Sequence, residues 1–229
     1  MKLAALFSGG KDSTMALYWA IKQGHEAKCL VTLHPQRDDS YMYQVPNVEL
    51  THYHSKALGI PLLTAKTSGV KEEELKELKE VLITAKKKYG IQGVTAGALA
   101  SNYQKERVEK ICKELNLKAF APYWQWEPEK YLNEILKSGF KVVITAIGAE
   151  GLKKELLGQL LTPEIIGQLK KIGEKTRFHL GFEGGEAESI VIDCPIFKKR
   201  LEIVEAEKII EGEYSGYLKI KKILLVDKS

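Results

Sequence analysis

The chain has 229 residues, enough to bury a substantial core in one large domain or two small ones. Its 44% apolar and 28% charged content is ordinary for a folded protein, and the net charge of +5 (pI about 8.9) suits an anionic ligand. Scattered lysines on helix surfaces do not make a nucleic-acid face, and no apolar run approaches the length of a membrane span. Among the 35 basic residues only Arg37, Arg107, Arg177 and Arg200 are arginines, a Lys/Glu bias common in proteins from hot environments. Cys29, Cys112 and Cys194 lie far apart among apolar neighbours, which excludes a C-x-x-C zinc or redox pair and predicts buried packing. The short apolar start, Leu3 to Phe7, runs directly into glycines and does not read as a signal peptide, so a cytoplasmic protein is expected.

Through the first half, short apolar runs alternate with amphipathic stretches, the pattern of a parallel α/β sheet. Strands are predicted at Leu3 to Phe7, Ala27 to Leu33, Pro61 to Ala65, Ile91 to Gly97 and Lys118 to Pro122. Between them, Lys71 to Tyr89 carries Leu75, Leu78, Leu82 and Ala85 on one helical stripe. A second helix is predicted over Tyr103 to Leu115, with Ser101 and Gln104 at capping-box spacing. The alternation weakens after Trp124. A helix over Glu129 to Lys137, a strand over Lys141 to Ile147 and a helix near Pro163 to Lys175 follow. Three strands close the chain, at Ser189 to Ile192, Leu201 to Ala206 and Tyr217 to Val226. The expected organisation is an α/β domain over residues 1–124 and a smaller α+β domain over 125–229.

Ser8-Gly9-Gly10-Lys11-Asp12-Ser13 is the strongest chemical signal, because it follows a strand and opens a helix. Two glycines let backbone N–H groups approach an anion, and the helix start adds unpaired donors and a positive dipole end. Lys11 supplies a full positive charge, and the Ser8 and Ser13 hydroxyls are candidate donors to phosphate. Asp12 would repel a bare phosphate and makes more sense as a magnesium ligand. A Walker A loop is excluded, since Ala5 and Asp12 stand where glycine and Ser or Thr are required. The six residues instead resemble the SGGxDS signature of PP-loop ATP pyrophosphatases, which implies a parallel-sheet fold of the adenine nucleotide alpha hydrolase-like type.

Three further stretches resemble the diphthine–ammonia ligase family: Ser40-Tyr41-Met42-Tyr43-Gln44, the segment Gly97 to Glu109, and Glu183-Gly184-Gly185-Glu186-Ala187-Glu188-Ser189 with Asp193-Cys194-Pro195 behind it. The compact length matches the short archaeal form of that family. The resemblance implies ATP and Mg2+ as cofactors, and elongation factor 2 carrying diphthine, together with ammonium, as partners. Neither membrane nor nucleic acid is implied, and a homodimer stays open. The reaction implied is amide formation through an acyl-adenylate with release of AMP. Two alternatives remain at this point, a tRNA-modifying PP-loop enzyme and a module that senses ATP without turnover.

The candidate nucleotide site is Ser8, Gly9, Gly10, Lys11, Asp12, Ser13, Met42 and Gly97. Met42 offers packing or backbone contacts to adenine, and Gly97 permits close backbone approach. Arg107, one turn beyond Gln104, is a candidate phosphate or carboxylate contact. Lys11, Asp12, Glu183, Glu186 and Glu188 are the candidate catalytic set. Gly184 and Gly185 would let Glu183 and Glu186 converge across a tight turn, while Glu186 and Glu188 share one face of an extended segment. Clustered carboxylates suit two cations, ammonium and the trimethylammonium of diphthine, and Trp124 or Trp126 offers a cation–π face. His34, His52, His54 and His179 form no metal pattern, and His52 and His54 read as helix surface or core.

Overall fold

Each apolar run of the first half becomes a strand of one parallel sheet. The computed structural model describes residues 1–35, 48–67, 73–97, 102–176 and 178–228, and the chain divides into two compact units, Met1–Trp124 and Gln125–Ser229. In the first unit the elements run β1 (Lys2–Leu6), α1 (Lys11–Lys22), β2 (Glu26–Pro35), α2 (Thr51–Leu58), β3 (Leu62–Thr67), α3 (Glu73–Tyr89), β4 (Gly93–Thr95), α4 (Asn102–Glu114) and β5 (Lys118–Phe120). The strand order is β3-β2-β1-β4-β5, all parallel. Connections leave β1 toward β2 on one side and return past it to β4 on the other. The crevice beyond the carboxyl ends of β1 and β4 is therefore a topological switch point, where open parallel sheets bind ligands.

The predicted α3 stripe is buried: Leu78, Leu82 and Ala85 are inaccessible and Leu75 packs partly against them. They meet Ala4, Cys29, Val31 and Val94 from the sheet and Ile111 and Cys112 from α4, forming one core. Helix α1 buries Met15, Ala16, Leu17 and Ala20 as it packs along β1, β2 and β4. Each large apolar side chain removed from water contributes about 1.5–3 kcal/mol, so this repeated burial fixes the sheet and with it the β1–α1 loop.

The second unit runs α5 (Pro128–Lys137), β6 (Lys141–Gly148), α6 (Pro163–Thr176), β7 (Ala187–Asp193), β8 (Lys199–Gly212) and β9 (Ser215–Asp227). Its sheet is antiparallel with order β7-β6-β9-β8. Glu127 starts α5 by accepting from the Glu129 and Lys130 N–H groups (2.9 and 2.6 Å), with Pro128 in the first turn. Tyr131, Leu132 and Ile135 form the buried face of α5, and Val142, Val143, Ile144 and Ile147 are the buried apolar residues of β6, with Thr145 buried among them.

The β8–β9 hairpin is much longer than the apolar pattern suggests. Beyond Ala206 the residues of β8 are exposed apart from the half-buried Ile209, which erases the alternation expected of a half-buried strand. Cross-strand pairing carries it instead, with Lys221 2.7 Å from Glu207 and 4.0 Å from Glu205.

Candidate nucleotide site and the glutamate loop

The chain leaves β1 at Leu6 and reaches α1 at Lys11 through a loop held by its own hydroxyls. Gly9 takes φ +82°, in the left-handed region that favours glycine. The Gly10 carbonyl accepts from the Thr14 N–H (3.1 Å), the Thr14 hydroxyl (2.8 Å) and the Ser13 hydroxyl (3.2 Å). Ser13 Oγ in turn accepts from the Ser8 N–H at 3.2 Å, and Ser8 Oγ lies 3.2 Å from Ser13 Oγ and 3.4 Å from the Gly10 N–H. The two serines, read from sequence as phosphate donors, thus brace the loop from within.

What the loop leaves open is backbone. Helix α1 has Gly10 at its N-cap, which provides no side-chain cap, and the N–H groups of a first helical turn have no carbonyl one turn back. Such a terminus binds anions through both its donors and its dipole. Lys11 is almost wholly buried here, and its Nζ lies 2.8 Å from Asp12 Oδ2. Asp12 Oδ1 is buried without a hydrogen-bond partner. A buried carboxylate oxygen without a partner is costly, and it is the atom a divalent cation would satisfy. The donor chemistry of this corner therefore fits a magnesium-bound polyphosphate.

Gly97, two residues past β4, approaches α1 rather than open space. A Cβ there would lie 2.4 Å from the Asp12 carbonyl carbon and 2.5 Å from the Ser13 nitrogen. Thr95 in β4 adds a buried hydroxyl bond to the Ala16 carbonyl at 3.3 Å. β4 and its exit thus hold the start of α1 in place, a role that a local reading of Gly97 could not reveal. Arg107 is half-buried on α4. Met42 and the Ser101–Gln104 cap lie outside the residues whose side chains are described. His34, at the carboxyl end of β2, has its imidazolium held below the usual range by burial, against an opposing pull from Glu49.

The glutamate-rich stretch forms the turn into β7. Glu186 Oε1 accepts from the His179 backbone N–H at 2.9 Å, and Oε2 from the Gly184 N–H at 2.8 Å. Its carboxylate therefore folds back on its own loop. The Glu186 carbonyl accepts from the Gly148 N–H at 2.8 Å and ties the loop to the end of β6. Gly185 (φ +83°) makes the turn, and Phe182 sits at φ +65°, a strained setting for an aromatic residue. In β7 the expected alternation appears, with Ala187 and Ser189 buried and Glu188 between them half-exposed. Glu183 is also half-exposed. The tryptophan faces are already shared with lysines: Lys105 Nζ lies 4.9 Å from the Trp124 ring centroid, and Lys130 Nζ 4.9 Å from that of Trp126.

The three cysteines are buried, with their thiols pushed up to about 11 for Cys29 and about 12 for Cys112 and Cys194, in each case chiefly by desolvation. Thiols held protonated in this way are poor nucleophiles, which disfavours sulfur-transfer chemistry. Among the described residues no group of three or more His, Cys, Asp or Glu is arranged to hold a metal by itself. No described helix is long and apolar enough to cross a membrane.

A doubly wound parallel sheet, a two-glycine loop at its switch point and an uncapped helix start define a nucleotide-binding α/β protein of the PP-loop kind. The chain belongs to the diphthamide synthase family: residues 1–119 match the model of the diphthamide synthase N-terminal domain and residues 127–226 that of the C-terminal domain. It is 33% identical to the diphthine–ammonia ligase of Mus musculus, over all of this chain and 94% of that protein, and 33% identical to that of Homo sapiens with the same coverage. The diphthine–ammonia ligase of Schizosaccharomyces pombe is 34% identical over 96% of this chain, which spans 39% of that longer protein. A solved structure described as a predicted subunit of tRNA methyltransferase from Methanocaldococcus jannaschii aligns over 85% of this chain and 98% of that one. Its TM-score of 0.41 and 12% identity are too slight to bear on fold or function.

Proposed function

We propose that the chain is an ATP-dependent amide ligase that converts diphthine on elongation factor 2 to diphthamide. The observation that carries this reading is the phosphate corner: an uncapped helix start, a buried Lys11 and an Asp12 oxygen without a partner, in a member of the diphthamide synthase family. A carboxylate oxygen of diphthine attacks the α-phosphorus, the α–β P–O bond breaks, and pyrophosphate leaves with the bonding electrons. The α1 N–H groups and Lys11 bind the departing phosphates, where negative charge grows in the transition state. Asp12 would hold a magnesium ion, which offsets phosphate charge when bound. The ammonia nitrogen then attacks the acyl carbon, the carbon–oxygen bond to AMP breaks, and a proton is lost to a base.

Residues 1–124 serve as the ATP-binding domain and 125–229 as the substrate-binding domain in this reading. Glu183 and Glu188, half-exposed beside the glycine turn, are the carboxylates assigned to ammonium and the diphthine cation. Glu186 positions them by holding the turn. Free ammonium, or ammonia handed over by a separate partner, is the nitrogen source in this reading, because the sequence contains no G-x-C-x-G nucleophile turn for glutamine hydrolysis. The test is incubation with ATP, isotopically labelled ammonium and diphthine-bearing elongation factor 2, followed by peptide mass measurement and nucleotide analysis. Label in the diphthine-bearing peptide with stoichiometric AMP is expected. ADP and phosphate as the sole nucleotide products would overturn the reading.

A further inference from the structure

We infer that His54 is a positioning residue for the phosphate loop: its imidazole fills the space that a side chain at position 9 would occupy and so holds Gly9 in its left-handed conformation. His54 sits in α2, a helix that contributes none of the loop's own residues, and it is only 1% exposed. An ideal Cβ built on Gly9 would lie 2.7 Å from His54 Cε1, 3.1 Å from Nδ1 and 3.3 Å from Nε2. The ring therefore touches the loop where its φ is +82°. Two further contacts fix the ring. Its Nδ1 lies 3.3 Å from the Leu50 carbonyl one turn back, and Phe7, the residue that leads into the loop, meets it edge-on with centroids 5.5 Å apart at 66°.

The consequence follows from glycine's freedom. With no Cβ, Gly9 and Gly10 can rotate through many backbone states, and each state other than the native one turns N–H groups away from a bound phosphate. A rigid ring against Gly9 removes those states before ligand arrives, and preorganised donors bind more tightly than ones ordered on binding. Both the geometry and the sequence separation make this a tertiary device: nothing in the six loop residues specifies what lies beneath them. The inference deepens the proposed function, since it rests on the loop being the triphosphate site.

The experiment is ATP titration by calorimetry together with steady-state kinetics on the full chain, for wild type, His54→Ala, His54→Leu, Gly9→Ala and the double variant His54→Ala/Gly9→Ala. Emptying the space should raise Kd and KM for ATP about tenfold with kcat little changed, the pattern of lost uniform binding. His54→Leu, which refills the space without a titratable ring, should recover most of that loss. Gly9→Ala should be severely impaired alone, and its penalty should shrink in the His54→Ala background to the strain of an alanine at φ +82°, because the new methyl then meets no ring. Thermal unfolding of each variant separates loss of the loop from loss of the fold. Unchanged ATP affinity in folded His54→Ala, or additive penalties in the double variant, would overturn the inference. If wild type itself failed to bind ATP, the reading of the loop as a triphosphate site would fall instead.

Discussion

The phosphate loop and the glutamate loop both turn on paired glycines and both carry charged side chains, yet they use their polar groups in opposite ways. In the first, side-chain hydroxyls satisfy the loop's interior, the N-cap glycine adds no side chain to the helix start, and Asp12 Oδ1 is left without a partner. In the second, the Glu186 carboxylate satisfies the loop's own backbone N–H groups through both oxygens. A loop whose side chains bond inward presents backbone to a ligand. A loop that needs a carboxylate to hold its backbone has fewer charges left for chemistry. The motif residues of the two loops are thus not equivalent, although each motif reads as catalytic in the sequence.

The sharpest way to test that contrast is at the unpartnered oxygen. Asp12→Asn keeps the side chain's shape and removes the charge that faces Lys11. It should raise the adenylation barrier by about 2–4 kcal/mol, as loss of one preorganised electrostatic group does. It should also shift the magnesium dependence of ATP–pyrophosphate exchange to higher concentration. An unaltered magnesium profile would remove Asp12 from the metal role.

Next in size is Gly97→Ala. The new methyl meets α1 backbone, which cannot swing aside as a flexible side chain does, so about 1–3 kcal/mol of overpacking should appear. It should be read as weakened ATP binding in calorimetry, because the displaced atoms belong to the first turn of α1. Full affinity with an unchanged melting temperature would show that β4's exit does not set the loop.

The glutamates should separate from one another. Glu186→Gln weakens two hydrogen bonds to a charged acceptor, at about 1–3 kcal/mol in all. Amide exchange at His179 and Gly184 should accelerate in this variant. Glu183→Gln should lose amidation while both amides stay protected and ATP affinity stays near wild type. Identical exchange in the two variants would erase the distinction drawn between the loops.

The smallest effect concerns pH. Burial raises the thiols of Cys29, Cys112 and Cys194 in the folded chain above their unfolded values. Folded thiols therefore keep their protons at pH values where unfolded ones lose them. The stability they contribute is complete below the unfolded pKa and is lost as pH rises toward the folded values of about 11 and 12. Denaturant midpoints should fall between pH 8 and 10, about the span where free thiols ionise. Cys112→Ala should flatten that fall, and an identical slope in the variant would assign it to other groups.

Much of this molecule is written in local sequence. The run before Ser8, the two glycines and the apolar spacing after Lys11 specify strand, turn and helix through alternation, backbone freedom and helical periodicity alone. The α3 stripe and the β6 and β7 strands were legible for the same reason. The length of β8 was not, because an exposed ribbon stabilised by Glu205, Glu207 and Lys221 has no apolar alternation to read. Nor was the direction of a carboxylate: Glu183 and Glu186 look alike in sequence, and only the folded loop brings the His179 and Gly184 N–H groups to Glu186. Gly97 against Asp12 and His54 against Gly9 join residues far apart in the chain. Such contacts are set by how strands order in the sheet and how helices pack on it. The sequence by itself determined that a strand, a two-glycine turn and a helix would follow one another here, because that turn is local. The tertiary structure decided what holds that loop in place, because packing between distant segments leaves no periodic trace.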